Sequence, residues 1–358
     1  MITVSDNIKS IKPYVPGKPI EELERELGIT GSIKLASNEN PLGPSPKAMA
    51  AVKKAIEGLN RYPDGNGFFL SQALAKKYDV GLSNIILGNG SNELIELLVR
   101  TFLQPGDEAV SADPSFVVYT MITQAAGGTN VVVPCKDMRH DLDSMAARIT
   151  PKTKIAFIAN PNNPTGTMNT RAEMDRFMSS VPDHVIVAVD EAYFEYVTHA
   201  EYPDSLDYLK EGKNVIALRT FSKIYGLAGL RIGYGITTPE IAELMNKVRQ
   251  PFNTNALAQI GALAALADQK HVEKSIAVNN EGRQFLYQAF QQIKVAFIPT
   301  ETNFIMFETQ FDCGEIYTAL LKTGVIIRPM GGKRLRVTIG LPEENKRFVG
   351  ELEKVVSA

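Results

Sequence analysis

The sequence predicts an α/β fold with a mostly parallel sheet flanked by helices, followed by a smaller α+β unit. Short apolar, β-branched runs alternate with helical patterns as far as Tyr234, which is typical of strands joined by helical crossovers. After Tyr234 long helices precede three strands. The chain has 358 residues, 44% of them hydrophobic, which is enough to bury the hydrophobic core of such a fold. We therefore predict an arm (1–45), a large domain (46–245) and a small domain (246–358).

Composition argues against several classes of protein. The formal net charge of −2 gives no reason to expect binding to nucleic acid or to an anionic membrane. No apolar run approaches the ~20 residues of a membrane span, and the N-terminus lacks the layout of a signal peptide. Cys135 and Cys313 lack metal or redox spacing and are expected to be buried, reduced thiols. The histidines form no ligand pattern, so we expect no metal and a cytoplasmic protein.

The first 45 residues are irregular and rich in proline, apart from a short helical pattern over Ile20–Leu27. X-Pro steps favour extended backbone, and such a segment cannot form a core alone. We expect it to pack over the small domain and a dimer interface. A solvated linker is the alternative, although Tyr14, Asn38 and Asn40 are unusual for one.

Strands and helices then alternate in order through the large domain. Helical patterns cover Lys47–Leu59, Gly67–Tyr78, Glu93–Leu103, a segment after Pro114, Leu142–Arg148 and Arg171–Ser180. Strand patterns cover Asn84–Leu87, Glu108–Val110, Asn130–Val133, Lys154–Ile158, His184–Val189 and Asn214–Leu218. This alternation favours a parallel sheet with helices on both faces.

The small domain has longer helices and fewer strands. Helical patterns cover Glu240–Arg249, Ala256–Asp268, His271–Ile293, Gly314–Lys322 and Pro342–Val356. Strand patterns cover Phe304–Phe307, Gly324–Ile327 and Leu335–Ile339.

Lys223 is the first candidate for chemistry. It comes after the strand 214–218, at the strand end where α/β sheets place their ligands. A lysine shielded from water loses its proton more readily and can form a Schiff base with an aldehyde. Thr220 and Ser222 offer hydroxyls, and Arg231 offers a forked cation that suits phosphate. An aldehyde with a phosphate describes pyridoxal 5′-phosphate, although a surface lysine and arginine after an ordinary strand would look the same.

Asp190 and Tyr193 lie at the end of another strand. A buried carboxylate needs a positive or proton-donating partner, and a pyridine nitrogen would serve, since ionised Asp190 would favour the pyridinium. Tyr193, three residues later, could reach the phenolic oxygen of the ring. A helix cap is the alternative for Asp190.

Two further segments each lie directly after a predicted strand. Asn160–Gly166 contains two Asn-Pro steps that fix the backbone and bring an amide to a strand end. Gly88–Glu93 lies between a strand and a helix whose free N–H groups would attract phosphate. A plain turn in the first segment, and a capped helix start in the second, are the alternatives.

Three other side chains are candidates for contact with a cofactor or substrate. Phe116 lies after a strand and could stack on a planar ring, although a core position is the simpler explanation. Arg328 ends a predicted strand and Arg336 lies within one. An arginine inside an apolar strand is costly unless it faces an anion, so Arg336 is a candidate for a substrate carboxylate or phosphate.

Taken in order, these segments resemble the fold type I pyridoxal-phosphate-dependent aminotransferases over essentially the whole chain. The resemblance rests on Asn-Pro-Thr-Gly at 163–166, Asp-x-x-Tyr at 190–193, and Ser222-Lys223 with Arg231 eight residues after the lysine. It implies that Lys223 is the Schiff-base lysine, that Asp190 pairs with the ring nitrogen, and that residues 46–245 bind the cofactor. The other cofactor contacts that it implies are Asn163 and Tyr193 on the ring oxygen, Phe116 on the ring face, and Gly90, Ser91, Asn92, Thr220, Ser222 and Arg231 on the phosphate.

Within this family the arm and several loops are similar to those of the histidinol-phosphate subgroup. The segments are Pro13–Pro19, Leu35–Gly43, Asn60–Asp64 and Gly226–Arg231. The likeness implies a homodimer in which Tyr62 reaches the partner's phosphate, an amino donor and a 2-oxo acid as substrates, and Tyr14, Asn38, Arg328 and Arg336 on the substrate side. Aromatic aminotransferases and threonine-phosphate decarboxylases share most of these motifs and stay open as alternatives, as does a non-catalytic cofactor-sensing regulator.

Overall fold

A seven-stranded sheet forms the centre of the computed structural model, which describes residues 2–357. The strand Gly233–Thr237 runs antiparallel to both of its neighbours, and the other six strands are parallel. The mostly parallel sheet predicted from the sequence is therefore confirmed. In spatial order the strands are Ile85–Gly88, Gly233–Thr237, Val215–Thr220, Ile186–Asp190, Thr153–Ala159, Glu108–Asp113 and Thr129–Pro134.

Helices cover both faces of this sheet. Alternate residues of a strand point to opposite faces, and the strand Thr153–Ala159 shows the result. Ile155 and Phe157 pack among apolar side chains of one group of helices, whereas Ala156 and Ile158 pack among those of another. The α-helices of the described chain are Asp6–Lys9, Ile20–Leu27, Pro46–Ala55, Phe68–Tyr78, Ser91–Phe102, Val118–Ala125, Leu142–Ala147, Arg171–Ser180, Ser205–Lys210, Pro239–Val248, Ala256–Leu266, Gln269–Gln292, Cys313–Lys322 and Pro342–Val356. None of these helices is long and apolar enough to cross a bilayer.

The antiparallel strand Gly233–Thr237 was missing from the sequence prediction. All five of its residues are buried, but two of them are glycines, which weaken a strand pattern. Gly233 is required by close packing, because a Cβ atom there would lie 2.6 Å from the Ser91 nitrogen. The strand therefore brings the chain after Arg231 directly against the start of the helix Ser91–Phe102.

The last hundred residues contain a four-stranded antiparallel sheet. Its strands, in spatial order, are Arg328–Gly331, Arg334–Thr338, Phe304–Glu308 and Ala296–Phe297. The strand predicted over Gly324–Ile327 is present in a shorter form, as Val325–Ile326, and the chain then passes from one small sheet to another. Val325–Ile326 pairs with Ile33–Lys34 of the arm, and Arg328 begins, rather than ends, the next strand.

The arm contacts two separate parts of the molecule. Ile33–Lys34 pairs in parallel with Val325–Ile326. Nearer the N-terminus, the Asn7 side-chain amide donates to the Gln124 carbonyl oxygen at 2.9 Å, and the Gln124 amide donates to the Asn7 carbonyl oxygen at 2.9 Å. The arm thus reaches from the helix Val118–Ala125, beside the large sheet, to the smaller unit.

By sequence, the helix Ala256–Leu266 belongs to the predicted small domain (246–358). In the structure it packs against helices of the predicted large domain (46–245). Its buried residues Ala258, Ala262 and Ala265 share a core with Ala48 and Leu74 from helices of the large unit. The division of the chain into 1–45, 46–245 and 246–358 stays a prediction.

Candidate active site

A cavity of about 530 Å³ lies where strands of the large sheet end. Asp190 and Thr220 are the last residues of neighbouring parallel strands, and Ser222 and Lys223 come just after the second strand. Parallel strands deliver the residues after them to one edge of the sheet. The predicted site residues that line the cavity are Tyr14, Asn38, Ser91, Asn92, Phe116, Asn163, Asp190, Tyr193, Thr220, Ser222, Lys223, Arg231 and Arg336.

Lys223 is half-buried in this cavity, and its Nζ donates a hydrogen bond to the Ser37 carbonyl oxygen at 3.2 Å. Burial, with the positive charge of Arg336 adding to it, lowers the pKa of Lys223 from 10.5 to about 8. The negative charge of Glu39 opposes this shift. The neutral amine, which a nucleophile or a general base requires, is therefore far more populated near neutral pH than in an ordinary lysine.

Asp190 is buried and held by two donors. The Tyr119 hydroxyl donates to Asp190 Oδ2 at 2.7 Å, and the Ala192 backbone N–H donates to Oδ1 at 3.2 Å. Burial raises the pKa of Asp190, and these hydrogen bonds to the ionised form work against that rise. A cationic nitrogen placed beside this carboxylate would be strongly favoured, because a buried carboxylate is poorly solvated by water.

Tyr193 and Asn38 come together in the cavity from distant parts of the chain. The Asn38 side-chain amide donates to the Tyr193 hydroxyl at 2.8 Å, and Asn38 itself is 2% exposed with a left-handed φ of 56°. Burial raises the pKa of Tyr193 to about 12, so its hydroxyl keeps its proton and can still donate to an acceptor in the cavity.

Arg336 lies in the strand Arg334–Thr338, and its side chain reaches the same cavity. It donates to the Asn163 side-chain oxygen and, at 2.8 Å, to the Ala36 carbonyl oxygen. Its Nε is buried and has no hydrogen-bond partner within the described chain. Burial lowers the pKa of Arg336, although the guanidinium stays charged. Because a buried cation paired only with neutral groups is costly, this site favours an anionic ligand.

A second group of hydrogen-bond donors lines the same cavity. It consists of the start of the helix Ser91–Phe102 and of Arg231. Gly90 is the residue before the helix, with φ 81° and no side-chain cap, so the first N–H groups stay free for a ligand. A Cβ atom on Gly90 would lie 2.5 Å from Arg231 Nη2. Arg231 also donates to the Ser222 hydroxyl at 3.3 Å. Free helix N–H groups, a guanidinium and hydroxyls together are the donor set that binds phosphate.

Three predicted residues do not line the cavity itself. Gly90 lies behind its wall, where it makes room for Arg231. Arg328 lines an adjoining cavity of about 340 Å³, where its guanidinium carbon lies 5.3 Å from the centre of the Tyr14 ring. Tyr62 is 83% exposed and stacks on Phe252 at 4.8 Å.

Together these features fit pyridoxal phosphate. The cavity offers an amine with a lowered pKa, a buried carboxylate, hydroxyl and amide donors, and a phosphate-binding helix start with Arg231 beside it. Phe116 lines the same space, with its ring edge-on to Tyr119 at 5.7 Å. The described residues contain no cluster of ligands suited to a metal ion.

Sequence reasoning missed Tyr119, Ser37 and Glu39, which also line the cavity. Tyr119 lies one helical turn after Phe116, so that spacing was the one signal that could have found it. It also missed the buried ion pair beside the site, in which Arg219 Nε donates to Glu191 Oε2 at 2.7 Å. Both side chains are 1% exposed.

Comparison with known sequences gives a consistent result. Residues 30–352 match the sequence model of the family described as aminotransferase class I and II. The histidinol-phosphate aminotransferase of Moorella thermoacetica is 51% identical over 98% of this chain and 92% of that protein. Histidinol-phosphate aminotransferase 2 of Pseudomonas fluorescens is 48% identical over 98% of this chain and 96% of that protein.

A solved structure shows the same fold. The crystal structure of histidinol-phosphate aminotransferase from Sinorhizobium meliloti in complex with pyridoxal-5′-phosphate superposes with a TM-score of 0.91. It is 29% identical, and the match covers 99% of this chain and 97% of the other.

Proposed function

The chain belongs to the family of class I and II aminotransferases, and we propose that it is a pyridoxal-phosphate-dependent enzyme of histidine biosynthesis. The reaction is L-histidinol phosphate plus 2-oxoglutarate to imidazole-acetol phosphate plus L-glutamate, carried out in the cytoplasm. The observation that carries the proposal is the convergence of Lys223, Asp190 and Arg336 on one cavity, in a chain about half identical to histidinol-phosphate aminotransferases along nearly its full length.

Different residues of the cavity would hold different parts of the cofactor. The helix start at Ser91 and Asn92, together with Thr220, Ser222 and Arg231, would hold the phosphate. Asp190 would pair with the ring nitrogen, and Asn163 and Tyr193 would hold the ring oxygen. The Asn163 oxygen accepts from Arg336, so its amide nitrogen is left to donate. Phe116 would contact the ring face.

Bound pyridoxal phosphate supplies an aldehyde that links to amines and a ring that withdraws electrons from the substrate carbon. Lys223 would move the proton: its neutral amine would take a proton from the substrate Cα, and the resulting ammonium would give it to the carbon that had been the cofactor's aldehyde. Its pKa of about 8 suits both directions, because neither protonation state dominates completely near neutral pH. Asp190 would keep the ring nitrogen protonated, since the buried carboxylate has its stabilising hydrogen bonds in the ionised form.

The substrate side is cationic. Lys12, Tyr14, Arg328 and Arg336 line the adjoining cavity, and Arg336 also lines the main one. Two guanidinium groups and an ammonium group suit the phosphate of histidinol phosphate and the carboxylates of glutamate in turn. Asn38 would position Tyr193 on the same side through their hydrogen bond.

The proposal includes a homodimer. Large apolar side chains are exposed on adjoining parts of the large unit: Met49, Ile56, Leu59, Tyr62, Phe68, Phe69, Phe252 and Ile260. We call this set the aromatic face. Exposed aromatic clusters of this kind mark association surfaces. A second copy of the chain packed on the aromatic face would cover Tyr62 and bring it towards the other copy's phosphate-binding residues.

The direct test uses the purified enzyme loaded with pyridoxal phosphate. Histidinol phosphate, glutamate, phenylalanine and threonine phosphate are offered singly as amino donors, and conversion of the cofactor to its amine form is followed by absorbance. We expect fast conversion with histidinol phosphate and glutamate. Faster conversion with phenylalanine than with histidinol phosphate would indicate an aromatic aminotransferase, and release of CO₂ from threonine phosphate would indicate a decarboxylase.

Steady-state kinetics test the two-step scheme independently. Because the amino group rests on the enzyme between substrates, double-reciprocal plots for glutamate and imidazole-acetol phosphate should be parallel. Intersecting plots would contradict the scheme.

A further inference from the structure

Glu39 is a carboxylate in the cavity for which the reaction described above has no use. Among the described residues that line the cavity, the carboxylates are Asp190 and Glu39. Asp190 is engaged by the Tyr119 hydroxyl and the Ala192 N–H. Glu39 lines the same cavity, two residues after Ser37, whose carbonyl oxygen accepts from Lys223.

The backbone on both sides of Glu39 is firmly held. Asn38 donates to Tyr193, and Asn40 donates to the Ile224 carbonyl oxygen at 2.7 Å and to the Ser275 hydroxyl at 2.9 Å. Asn38 and Asn40 are 2% and 7% exposed. The backbone position of Glu39 is therefore fixed, and its side chain starts from a defined point on the cavity lining.

Within residues 2–357, Glu39 pairs with Lys34, and this ion pair leaves most of the Glu39 carboxylate available. Oε1 accepts from Lys34 Nζ at 3.0 Å, while the side chain keeps 45% of its exposure. A carboxylate has about four acceptor positions, so Oε2 and the remaining lone pairs are open to a ligand. A partly exposed ion pair contributes little to stability, which makes holding Lys34 a weak reason for the residue.

We propose that Glu39 is a specificity-determining residue that accepts the ring N–H of an imidazole-bearing substrate. The proposal rests on the proposed function and identifies the residue that reads the substrate's ring. The cationic groups at Lys12, Arg328 and Arg336 account for the substrate's phosphate, and the cofactor's aldehyde accounts for its amino group. The imidazole N–H is the remaining donor, and it needs an acceptor of this kind.

Glu39 also distinguishes imidazole from a benzene ring. Binding a ring without an N–H would desolvate the carboxylate and return no hydrogen bond, so the site disfavours phenylalanine-like donors. The competing explanation is electrostatic, since the negative charge of Glu39 also stabilises the protonated form of Lys223. That effect would act on every substrate equally, whereas ring recognition acts on one ring and not the other.

The experiment compares histidinol with phenylalaninol, two amino alcohols that differ in the ring. Their dissociation constants are measured with the cofactor-loaded enzyme by spectral titration, which requires no turnover. We expect the wild type to prefer histidinol and Glu39→Leu to reduce that preference by about tenfold or more, as the loss of a charge-assisted hydrogen bond implies. Glu39→Gln keeps an acceptor oxygen and should restore part of the preference.

The proposal would be overturned by a wild type with no preference for histidinol, by a preference unchanged in Glu39→Leu, or by equal weakening of both ligands in that variant. Lys34→Met is the matched control, because it removes the ion pair and keeps the carboxylate. Lys34→Met should retain the preference for histidinol. Loss of the preference in this control would show that it depends on the Lys34–Glu39 ion pair, and would overturn the role of Glu39. Histidinol phosphate turnover by the wild type is measured separately: its absence refutes the proposed function, while the ring preference is still decided by the titration.

Discussion

Tyr119 donates a hydrogen bond to Asp190 across 71 residues of sequence, at 2.7 Å between the hydroxyl and Oδ2. The Tyr119 ring is stacked on Phe157 with centres 4.8 Å apart and planes 8° from parallel. Phe157 is fully buried in the central sheet, so the hydroxyl is held in place by the core. Tyr119 thereby fixes the orientation of Asp190 and favours its ionised form.

Replacing Tyr119 by Phe keeps the stacked ring and removes the hydroxyl. Burial already raises the pKa of Asp190, and losing this donor should raise it further. Because the ionised carboxylate is the active form, the acid limb of the kcat/KM profile for glutamate should move to higher pH. We expect kcat to fall by roughly tenfold, as for the loss of a hydrogen bond to a charged group.

Tyr208→Phe is the control for that variant. Tyr208 donates to Asp175 at the same 2.7 Å, away from the cavity. Its removal should lower thermal stability and leave the acid limb in place. An unmoved acid limb in Tyr119→Phe would contradict the role given to Tyr119.

The reactivity of Lys223 should depend on pH in a defined range. In cofactor-free protein the rate at which an aldehyde such as pyridoxal attaches to Lys223 should rise through about pH 8, because the neutral amine is the nucleophile. Peptide mapping after borohydride reduction identifies the lysine, and Lys223→Ala should lose both the attachment and turnover. A rate that increases steadily towards pH 10.5 without a midpoint would contradict the lowered pKa.

The same pKa shift has a consequence for stability. Between pH 8 and 10.5 the folded cofactor-free protein binds fewer protons at Lys223 than the unfolded chain does. The contribution of this group to stability therefore increases with pH over that range. Lys223→Met should be more stable than the wild type at pH 7, and the difference in melting temperature should shrink towards pH 10.5.

Gly90→Ala should weaken cofactor binding. The added Cβ would lie 2.5 Å from Arg231 Nη2 and would displace the guanidinium from the helix start. We expect the dissociation constant of pyridoxal phosphate to rise by about tenfold or more, as for the loss of a charge-assisted hydrogen bond. Gly212→Ala shares the positive φ, at 78°, but its Cβ would meet nothing within 4 Å. That control should cost about 1 kcal/mol of stability and leave cofactor affinity unchanged.

Arg336→Lys should weaken the binding of both substrates. Lysine keeps the charge but cannot donate to Asn163 and Ala36 while offering a fork to an anion. A loss of about 1.5–3 kcal/mol would raise KM for 2-oxoglutarate and histidinol phosphate by roughly tenfold to a hundredfold. Arg334→Lys, two residues earlier and 44% exposed, is the control. Equal KM values for the two variants would contradict the role of Arg336.

The aromatic face should control the state of association. Phe69 is 70% exposed there, and Phe69→Glu should convert the proposed dimer to a monomer in sedimentation velocity experiments. Turnover should fall with dissociation, because Tyr62 would no longer reach a second copy. Val132→Glu changes an exposed apolar residue on the edge strand of the sheet and should leave the dimer intact. A monomeric wild type would contradict the proposal.

Local patterns in the sequence predicted the parallel strands and the residues at their ends. Lys223 and Asp190 were identified because each ends an apolar run or comes shortly after one, so its place at the sheet edge depends on short-range order. The antiparallel strand Gly233–Thr237 was not identified, because its first residue, Gly233, is a glycine on account of neighbours more than 140 residues away in sequence, at Gly90 and Ser91.

The long-range hydrogen-bond partners of the site residues could not be predicted from the sequence either. The bond from Asn38 to Tyr193 spans 155 residues, and that from Arg336 to Asn163 spans 173. Side-chain choices at these positions are set by tertiary neighbours, on which local propensity carries no information. The sequence could therefore suggest which residues do chemistry but could not show which residues hold them in place.

The antiparallel strand Gly233–Thr237 connects the predicted phosphate-binding residues to the centre of the sheet. These residues are Ser91 and Asn92 at the helix start, and Arg231. The strand is hydrogen-bonded to Ile85–Gly88 on one side and Val215–Thr220 on the other, and it begins two residues after Arg231. The helix start at Ser91 and the guanidinium of Arg231 are brought together when this strand pairs with Ile85–Gly88, and that pairing requires closing a loop of well over a hundred residues. During refolding, the ability to capture phosphate should therefore be acquired late, together with the complete sheet. By mass action, a bound phosphate ligand then stabilises the whole large unit rather than a single loop.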